Sequence, residues 1–159
     1  MKGFALAGFM GVGKTTVGQR LASRCGLPFC DLDAVLEGRF GSIPEQFATG
    51  GEPAFRAREA AVVNELCDGG RRVLATGGGT WVDPANRAML RRCYHVVVLH
   101  APLEVVRERI GAGQGRPLAG ELEARYLARR EAYEDADLRV DATLTPDMIV
   151  DRILEHAWT

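Results

Sequence analysis

Residues 8–16 read Gly8-Phe9-Met10-Gly11-Val12-Gly13-Lys14-Thr15-Thr16 and match G-x-x-x-x-G-K-T, the pattern of a phosphate-binding P-loop. The pattern is specific only when a strand precedes it and a helix follows it. An apolar run at 4–7 precedes it, and Val17 and Leu21 follow it at the four-residue spacing of one helix face. The stretch therefore predicts a strand, a phosphate loop and a helix, in that order.

The residue types of this loop suit a polyphosphate ligand. Glycines at 8, 11 and 13 allow main-chain N–H groups to close around phosphate oxygens, and the helix N-terminus adds a partial positive charge. Lys14 would then reach the outer phosphates, and the Thr15 hydroxyl would help to hold Mg²⁺. An ordinary glycine turn with a solvated lysine does not explain why the loop lies between a strand and a helix.

Composition limits the class of protein. The chain has 159 residues, of which 47% are hydrophobic and 26% charged, which predicts a single globular domain. No run approaches the roughly 18 apolar residues of a membrane span, and the net charge of −1 argues against a nucleic-acid-binding protein. The four cysteines form no C-x-x-C pair, so a zinc site is not expected.

These limits also set expectations for location and partners. Residues 1–12 imitate a secretion signal, but cleavage there would remove the predicted first strand. We expect a cytoplasmic protein with reduced cysteines and with no nucleic-acid or membrane partner. Since no long exposed apolar stripe calls for a second subunit, we also expect a monomer.

Runs of β-type residues alternate with helical patterns along the chain. The predicted strands cover residues 3–7, 28–31, 72–76, 95–99 and 138–142. Between them apolar residues recur at intervals of three and four, as at Leu103, Val106 and Ile110. Alternating strands and helices predict an α/β fold, in which a parallel sheet lies between two helical layers.

Two local signals predict where helices begin and end. Asp83-Pro84 is typical of a helix N-cap followed by proline at the first helical position, and Gly26 with Pro28 is typical of the end of the first helix.

Two carboxylates follow the second predicted strand. If strand geometry continues through Asp31 and Asp33, both side chains point the same way at the carboxyl edge of the sheet, beside the phosphate loop. One would then face Mg²⁺ and the other an acceptor hydroxyl. The alternative, in which Asp33 caps a helix beginning at Ala34, is equally compatible with the sequence.

Glycines at 77–79 end the third predicted strand, where bare main-chain N–H groups would let a substrate approach closely. A flexible turn is the plainer interpretation.

Arg56 has Glu52 four residues before it and Glu59 three residues after it, so carboxylates of its own helix could hold its guanidinium for an anionic substrate. A solvated surface ion pair is the alternative.

A second glycine-rich stretch reads Gly111-Ala112-Gly113-Gln114-Gly115-Arg116-Pro117. Its glycines predict a mobile lid over about 111–124 that carries Arg116 as its cation. Beyond it, Arg125, Arg129 and Tyr133 recur every four residues. By pattern alone, that stripe indicates a solvated helix face.

Together these segments resemble the shikimate kinase family over nearly the whole chain. Beside the loop, the specific part is the ordered set Asp31-x-Asp33, Gly51-Glu52-x-x-Phe55-Arg56-x-x-Glu59, Gly77-Gly78-Gly79, Arg116-Pro117-Leu118 and Arg129-x-x-x-Tyr133. The resemblance implies a P-loop NTPase fold like that of nucleoside-monophosphate kinases, with a five-stranded parallel sheet. It implies one kinase domain over 1–159, with substrate-binding helices at about 33–60.

The resemblance also implies an activity, which is transfer of the γ-phosphoryl group of ATP to the 3-hydroxyl of shikimate, in the biosynthesis of chorismate and the aromatic amino acids. Lys14 and Arg116 would neutralise the transferring group, and Asp33 would bind the acceptor hydroxyl as the candidate base. Shikimate would be held by Asp33, Arg56, Gly77, Gly78, Gly79 and Arg129. ATP would be held by Gly11, Val12, Gly13, Lys14, Thr15, Thr16, Arg109, Arg116 and Pro146, and one Mg²⁺ per subunit by Thr15 and Asp31.

Three other functions stay open at this point. A kinase of another small hydroxy acid, such as gluconate, would share the loop and the sheet. A nucleoside-monophosphate kinase would need a nucleobase pocket, for which no separate segment is seen. A regulatory nucleotide-binding protein would have lost catalysis, whereas Lys14, Asp33 and Arg116 are all present.

Overall fold

The computed structural model describes residues 2–111 and 119–159 of the chain. The strands are β1 (Gly3–Gly8), β2 (Phe29–Asp31), β3 (Val73–Ala75), β4 (Tyr94–His100) and β5 (Leu138–Asp141). The helices are α1 (Lys14–Cys25), α2 (Leu32–Phe40), α3 (Ile43–Asp68), α4 (Pro84–Cys93), α5 (Leu103–Ile110), α6 (Ala119–Glu134) and α7 (Pro146–Ala157). A short 3₁₀ turn, Thr80–Val82, precedes α4.

The five strands form one parallel sheet in the order β2-β3-β1-β4-β5. The predicted α/β fold with a five-stranded parallel sheet is therefore confirmed, and the ends of each predicted strand lie within one residue of those observed. Helix α1 packs against α7, and α3 packs against α4. Such pairs are expected when helices form separate layers over a sheet.

The core is centred on β1, the strand that leads into the phosphate loop. Every residue of β1 is buried, because β3 and β4 pair with it on its two sides; Leu6, for example, lies opposite Ala75 and Val97. A strand buried in this way reads as a continuous apolar run. Since all strands run in one direction, the loops that follow β1, β2 and β3 meet at the same edge of the sheet.

The ends of the helices follow the local sequence signals. Gly13 has φ 96° and ψ 26° directly before α1, a left-handed conformation that glycine adopts without strain. Gly26 ends the same helix in a left-handed conformation, as predicted. Asp83 accepts a hydrogen bond of 2.8 Å from the Ala85 amide, with Pro84 at the first position of α4, which confirms the predicted cap.

The prediction that strand geometry continues through Asp33 is wrong. Strand β2 ends at Asp31 and α2 begins at Leu32, so Asp33 lies in the first helical turn. The alternative with Asp33 as the helix cap is also wrong, because Asp31 keeps an extended backbone and its Oδ1 accepts from the Ala34 amide at 3.2 Å. An extended residue with an acidic side chain is the usual geometry of an N-cap.

Helix α3 consists of two helical segments that meet at Gly51. The φ of 75° and ψ of 175° at Gly51 break the helix, and Pro53 follows in the first turn of the second segment. That second segment carries Glu52, Arg56 and Glu59. Despite its 26 residues, α3 is not apolar enough to cross a membrane, and the same holds for the other helices of the described residues.

Candidate active site

Two neighbouring cavities lie at the carboxyl edge of the sheet, each of about 310 Å³. The first is lined by Met10, Gly11, Gly13, Lys14, Thr15, Thr16, Asp31, Asp33, Thr76 and Gly78. The second is lined by Glu52, Arg56, Gly79, Val82, Asp83 and Arg129. Because Gly78 lines one cavity and Gly79 the other, the two lie side by side. The first holds the phosphate loop with two carboxylates, and the second brings two arginines together.

Lys14 is folded back onto its own loop. Its Nζ donates to the carbonyl oxygens of Gly8, at 2.6 Å, and Phe9, at 3.1 Å. Burial lowers the pKa of Lys14 to about 8, an effect that Asp33 opposes and Arg129 reinforces. A phosphate group beside the ammonium would favour its charged form and raise that pKa again.

Asp33 is the carboxylate best placed to accept a proton in the first cavity. Burial raises its pKa above the ordinary value, as does neighbouring Asp31, while the Lys14 ammonium opposes the shift. A Cβ built on Gly77 would lie 2.7 Å from Asp33 Oδ1, so the carboxylate sits directly against the main chain of the glycine segment. A carboxylate with raised proton affinity suits general-base chemistry.

Asp31 and Thr15 contact each other in the same cavity. The Thr15 hydroxyl donates to Asp31 Oδ2 at 3.2 Å, while Oδ1 of the same carboxylate caps α2. In the part of the chain that the structure describes, no three His, Cys, Asp or Glu side chains cluster as metal ligands. Kinase Mg²⁺ needs only one or two protein oxygens beside the phosphates, so this hydroxyl and carboxylate fit such an ion.

Arg56 is held by the two glutamates that the helical spacing indicates. Its Nη1 donates to Glu59 Oε1 at 2.9 Å, and its Nε lies 3.5 Å from Glu52 Oε1. The side chain of Glu59 is only 1% exposed, so the interpretation as a solvated surface pair is wrong for this contact. A guanidinium fixed on one side by a buried carboxylate has a restricted set of orientations toward the cavity.

Arg129 and Tyr133 of α6 face the site, contrary to the interpretation of their stripe as solvated; only Arg125 is exposed as expected. The Arg129 guanidinium lies over the ring of Phe9, with Cζ 5.7 Å from the centroid. Tyr133 is 8% exposed, and its hydroxyl donates to the Gly78 carbonyl. Burial raises the pKa of Tyr133 to about 12, so this hydroxyl stays protonated.

Each of the three glycines after β3 meets one of the predicted substrate residues. A Cβ on Gly78 would lie 3.2 Å from Arg129 Nη1, and one on Gly79 would lie 2.5 Å from Arg56 Nη2, just as Gly77 meets Asp33. None of the three has a positive φ, so glycine is needed here for space and not for backbone conformation. The glycine segment is therefore packed against the charged side chains instead of forming a free turn.

Arg109 joins the phosphate loop to the segment before α7. Its Nη1 donates to the Val12 carbonyl at 3.1 Å, and its Nη2 to the Ala142 carbonyl at 2.6 Å. Pro146 is the first residue of α7 and is half-buried. Arg116 lies outside the described residues, as does half of the lid predicted over about 111–124. The last part of that range, from Ala119 onward, belongs to α6.

Three residues near these cavities were not predicted from the sequence. Phe9 occupies a variable position of the loop motif, yet its ring packs against the Arg129 guanidinium. Thr76, whose Oγ1 donates to the Leu6 carbonyl at 3.0 Å, lines the first cavity. Thr80 is fully buried behind the glycine segment. The only sequence signal for the two threonines was their position on either side of the glycines.

A family model described as shikimate kinase matches residues 10–158 of the chain. The chain belongs to the shikimate kinase family. The family predicted from the motifs is thus confirmed. Among curated relatives of this family, the shikimate kinase of Geobacter metallireducens is 46% identical and covers 87% of this chain and 81% of its own. That of Enterococcus faecalis is 39% identical and covers 98% of both chains.

Solved structures agree with this family. A shikimate kinase from Acinetobacter baumannii, in complex with shikimate, superimposes with a TM-score of 0.89 at 34% identity and covers 99% of this chain and 93% of its own. A gluconokinase from Sinorhizobium meliloti reaches a TM-score of 0.66 at 21% identity and covers 99% of this chain and 95% of its own. That second likeness shows a shared fold and no more, whereas the first lies within the shikimate kinase family.

Proposed function

We propose that this protein transfers the γ-phosphoryl group of ATP to the 3-hydroxyl of shikimate, giving shikimate 3-phosphate and ADP in aromatic amino-acid biosynthesis. The observation that carries the proposal is the pairing of the two cavities. A phosphate loop with a candidate base lies on one side of Gly78 and Gly79, and two arginines suited to a carboxylate lie on the other.

On the nucleotide side, the residues of this chain supply positioning and positive charge. Amides of the loop and of the first turn of α1 would hold the phosphates, and Lys14 would exchange the Gly8 and Phe9 carbonyls for phosphate oxygens. Thr15 and Asp31 would hold one Mg²⁺, which when bound neutralises phosphate charge. Arg109 and Pro146 would face the adenine, and Arg116 would supply the second cation.

On the acceptor side, Arg56 and Arg129 would bind the shikimate carboxylate, because both line the second cavity. This would direct the ring toward the glycine segment and Asp33. Asp33 would take the proton of the 3-hydroxyl while the hydroxyl oxygen forms a bond to the γ-phosphorus. The bond from that phosphorus to the bridging oxygen breaks, and ADP leaves.

The setting of the reaction belongs to the same proposal. We propose that the protein acts in the cytoplasm as a monomer, with ATP and shikimate as its partners and without nucleic-acid or membrane partners. The net charge of −1 supports the absence of a nucleic-acid partner.

The test is incubation of the protein with MgATP and a panel of acceptors. The panel contains shikimate, its methyl ester, 3-dehydroshikimate, gluconate, AMP and water. We expect a mass gain of one phosphoryl group on shikimate, much less on the ester, which lacks the carboxylate charge, and none on 3-dehydroshikimate, which lacks the 3-hydroxyl. Preferred phosphorylation of gluconate or AMP would contradict the proposal, and so would ATP binding with no acceptor phosphorylated.

A further inference from the structure

Thr80 is a buried threonine whose hydroxyl joins two parts of the candidate site. The residue is 0% exposed and begins the 3₁₀ turn that follows the glycine segment. Its Oγ1 donates to Glu59 Oε2 at 2.9 Å and accepts from the Gly77 amide at 2.9 Å. Both hydrogen-bonding functions of the hydroxyl are thus in use, one toward α3 and one toward the end of β3.

Glu59 extends this connection to Arg56. Its two carboxylate oxygens have different partners, since Oε1 accepts from Arg56 Nη1 at 2.9 Å and Oε2 accepts from Thr80. Both oxygens of a buried carboxylate are therefore satisfied, as is needed when water is excluded. A continuous chain of hydrogen bonds runs from the Arg56 guanidinium through Glu59 and Thr80 to the Gly77 amide.

The far end of the chain lies beside the candidate base. A Cβ on Gly77 would lie 2.7 Å from Asp33 Oδ1, so the position of Gly77 limits where that carboxylate can sit. Arg56 lines the acid-binding cavity at the other end. The Thr80 hydroxyl is therefore the link between a residue that would bind the acid and the segment that borders the base.

We propose that Thr80 is a positioning residue that fixes Arg56 and the glycine segment relative to each other, and so sets the acceptor acid in line with Asp33. This inference rests on the proposed function. Removal of the hydroxyl would leave Glu59 Oε2 without a donor and the Gly77 amide without an acceptor. Glu59 would then no longer hold Arg56 in one orientation, and a small displacement of a positioned acid has a large effect on rate.

The experiment compares Thr80→Val, which keeps the shape and removes the hydroxyl, with Thr80→Ser, which keeps the hydroxyl. We expect Thr80→Val to raise the KM of the acid acceptor by about tenfold or more and to lower kcat, with the KM of ATP unchanged. Thr80→Ser should stay close to the wild type in all three constants. Thr49→Val is the matched control, because Thr49 lines neither cavity and its exposed hydroxyl on α3 donates to the Glu45 carbonyl at 2.8 Å.

Thermal unfolding is measured beside the kinetics to separate positioning from folding. If Thr80→Val does not fold, Thr80→Ser and Thr80→Ala make the same comparison, because they differ only in the hydroxyl. If Thr80→Val had the kinetic constants of the wild type, the inference would be overturned, whatever the change in Tm. An equal rise in the KM of both substrates would overturn it as well. The acceptor in these assays is the one that the wild type phosphorylates in the panel. A wrong shikimate assignment would therefore appear in the wild-type panel, whereas a wrong inference about Thr80 would appear only in the comparison of the variants.

Discussion

The guanidinium of Arg129 lies over the ring of Phe9, with its Cζ atom 5.7 Å from the ring centroid. Phe9 belongs to the phosphate loop and Arg129 to α6, so this contact connects the walls of the two cavities. Tyr126 packs against the same ring, with centroids 5.5 Å apart and the two rings nearly perpendicular. The loop that would hold phosphate therefore also supports a cation suited to a carboxylate.

We expect Phe9→Leu to weaken binding of the acid while leaving that of ATP nearly unchanged. Leucine keeps apolar volume but has no aromatic face, so the cation–π contact with Arg129 is lost. Such a contact contributes about 0.5–2 kcal/mol, which corresponds to a rise of about 2- to 30-fold in the shikimate KM. Steady-state kinetics with each substrate varied in turn would measure this.

Phe40→Leu is the control, because it also removes a cation–π contact. The Arg58 Cζ lies 5.5 Å from the centroid of the Phe40 ring, and this pair lines neither cavity. An equal rise in both KM values would show that Phe9 acts only on the loop.

Gly79→Ala tests whether the glycine segment gives Arg56 its place. The new Cβ would lie 2.5 Å from Arg56 Nη2 and 2.9 Å from its Cζ. Because the group it meets is the end of a flexible side chain, the arginine should move while the fold survives. We expect the shikimate KM to rise by about tenfold or more with a small change in Tm.

Gly38→Ala serves as the control for this substitution. Gly38 lies in α2 with open space around it, and alanine in a helix is about 0.5–1 kcal/mol more favourable than glycine. Its kinetics should therefore match the wild type. If Gly79→Ala kept the wild-type KM for shikimate, Arg56 would not be a ligand of the acid in its present pose.

Elements whose structure is decided by a local pattern were predicted correctly. The apolar run before Gly8 and the proline after Asp83 each act through neighbours in the chain, so the strand and the helix start were predicted correctly. The spacing of Glu52, Arg56 and Glu59 indicated the ion pairs of Arg56 for the same reason, since helix geometry fixes which side chains can meet. It did not decide between a solvated surface pair and the buried contact with Glu59.

The errors arose where long-range packing decides. Asp31 ends its strand and caps α2, and no local pattern distinguishes this from a strand that continues to Asp33. Tyr133 has the spacing of an exposed stripe, but it is buried because α6 lies against the 3₁₀ turn and Phe9. The burial of Thr80 depends on how α3 lies behind the glycine segment, which periodicity within one element cannot reveal.

Asp33→Asn tests the base. Asparagine keeps the shape but cannot take a proton, and general-base catalysis contributes about 10²- to 10⁴-fold, so we expect a fall of that size in kcat with little change in either KM. Because burial raises the pKa of Asp33, the wild-type rate should fall on the acid side at a higher pH than for an ordinary carboxylate. In the variant this acid limb should be lost. If Asp33→Asn kept the wild-type kcat, Asp33 would not be the general base and would serve only to bind the hydroxyl.

Nucleotide binding should take up a proton at Lys14. Burial lowers the pKa of Lys14 to about 8 in the free protein, and adjacent phosphate favours the charged form, so the pKa is higher in the complex. Below pH 8 the ammonium is already protonated and ADP affinity should be constant with respect to this group. Above pH 8 each unit of pH should lower the affinity about tenfold, because binding must first restore the proton.

Calorimetry at pH 8.5 in two buffers of different ionisation enthalpy would measure this uptake directly. Lys14→Arg is the matched control, because it keeps the positive charge while arginine does not lose its proton in this range. The variant should bind ADP with no proton uptake from this position and with a flat dependence on pH from 8 to 9. Equal uptake in the wild type and the variant would assign the proton to another group and would contradict a buried, partly deprotonated Lys14.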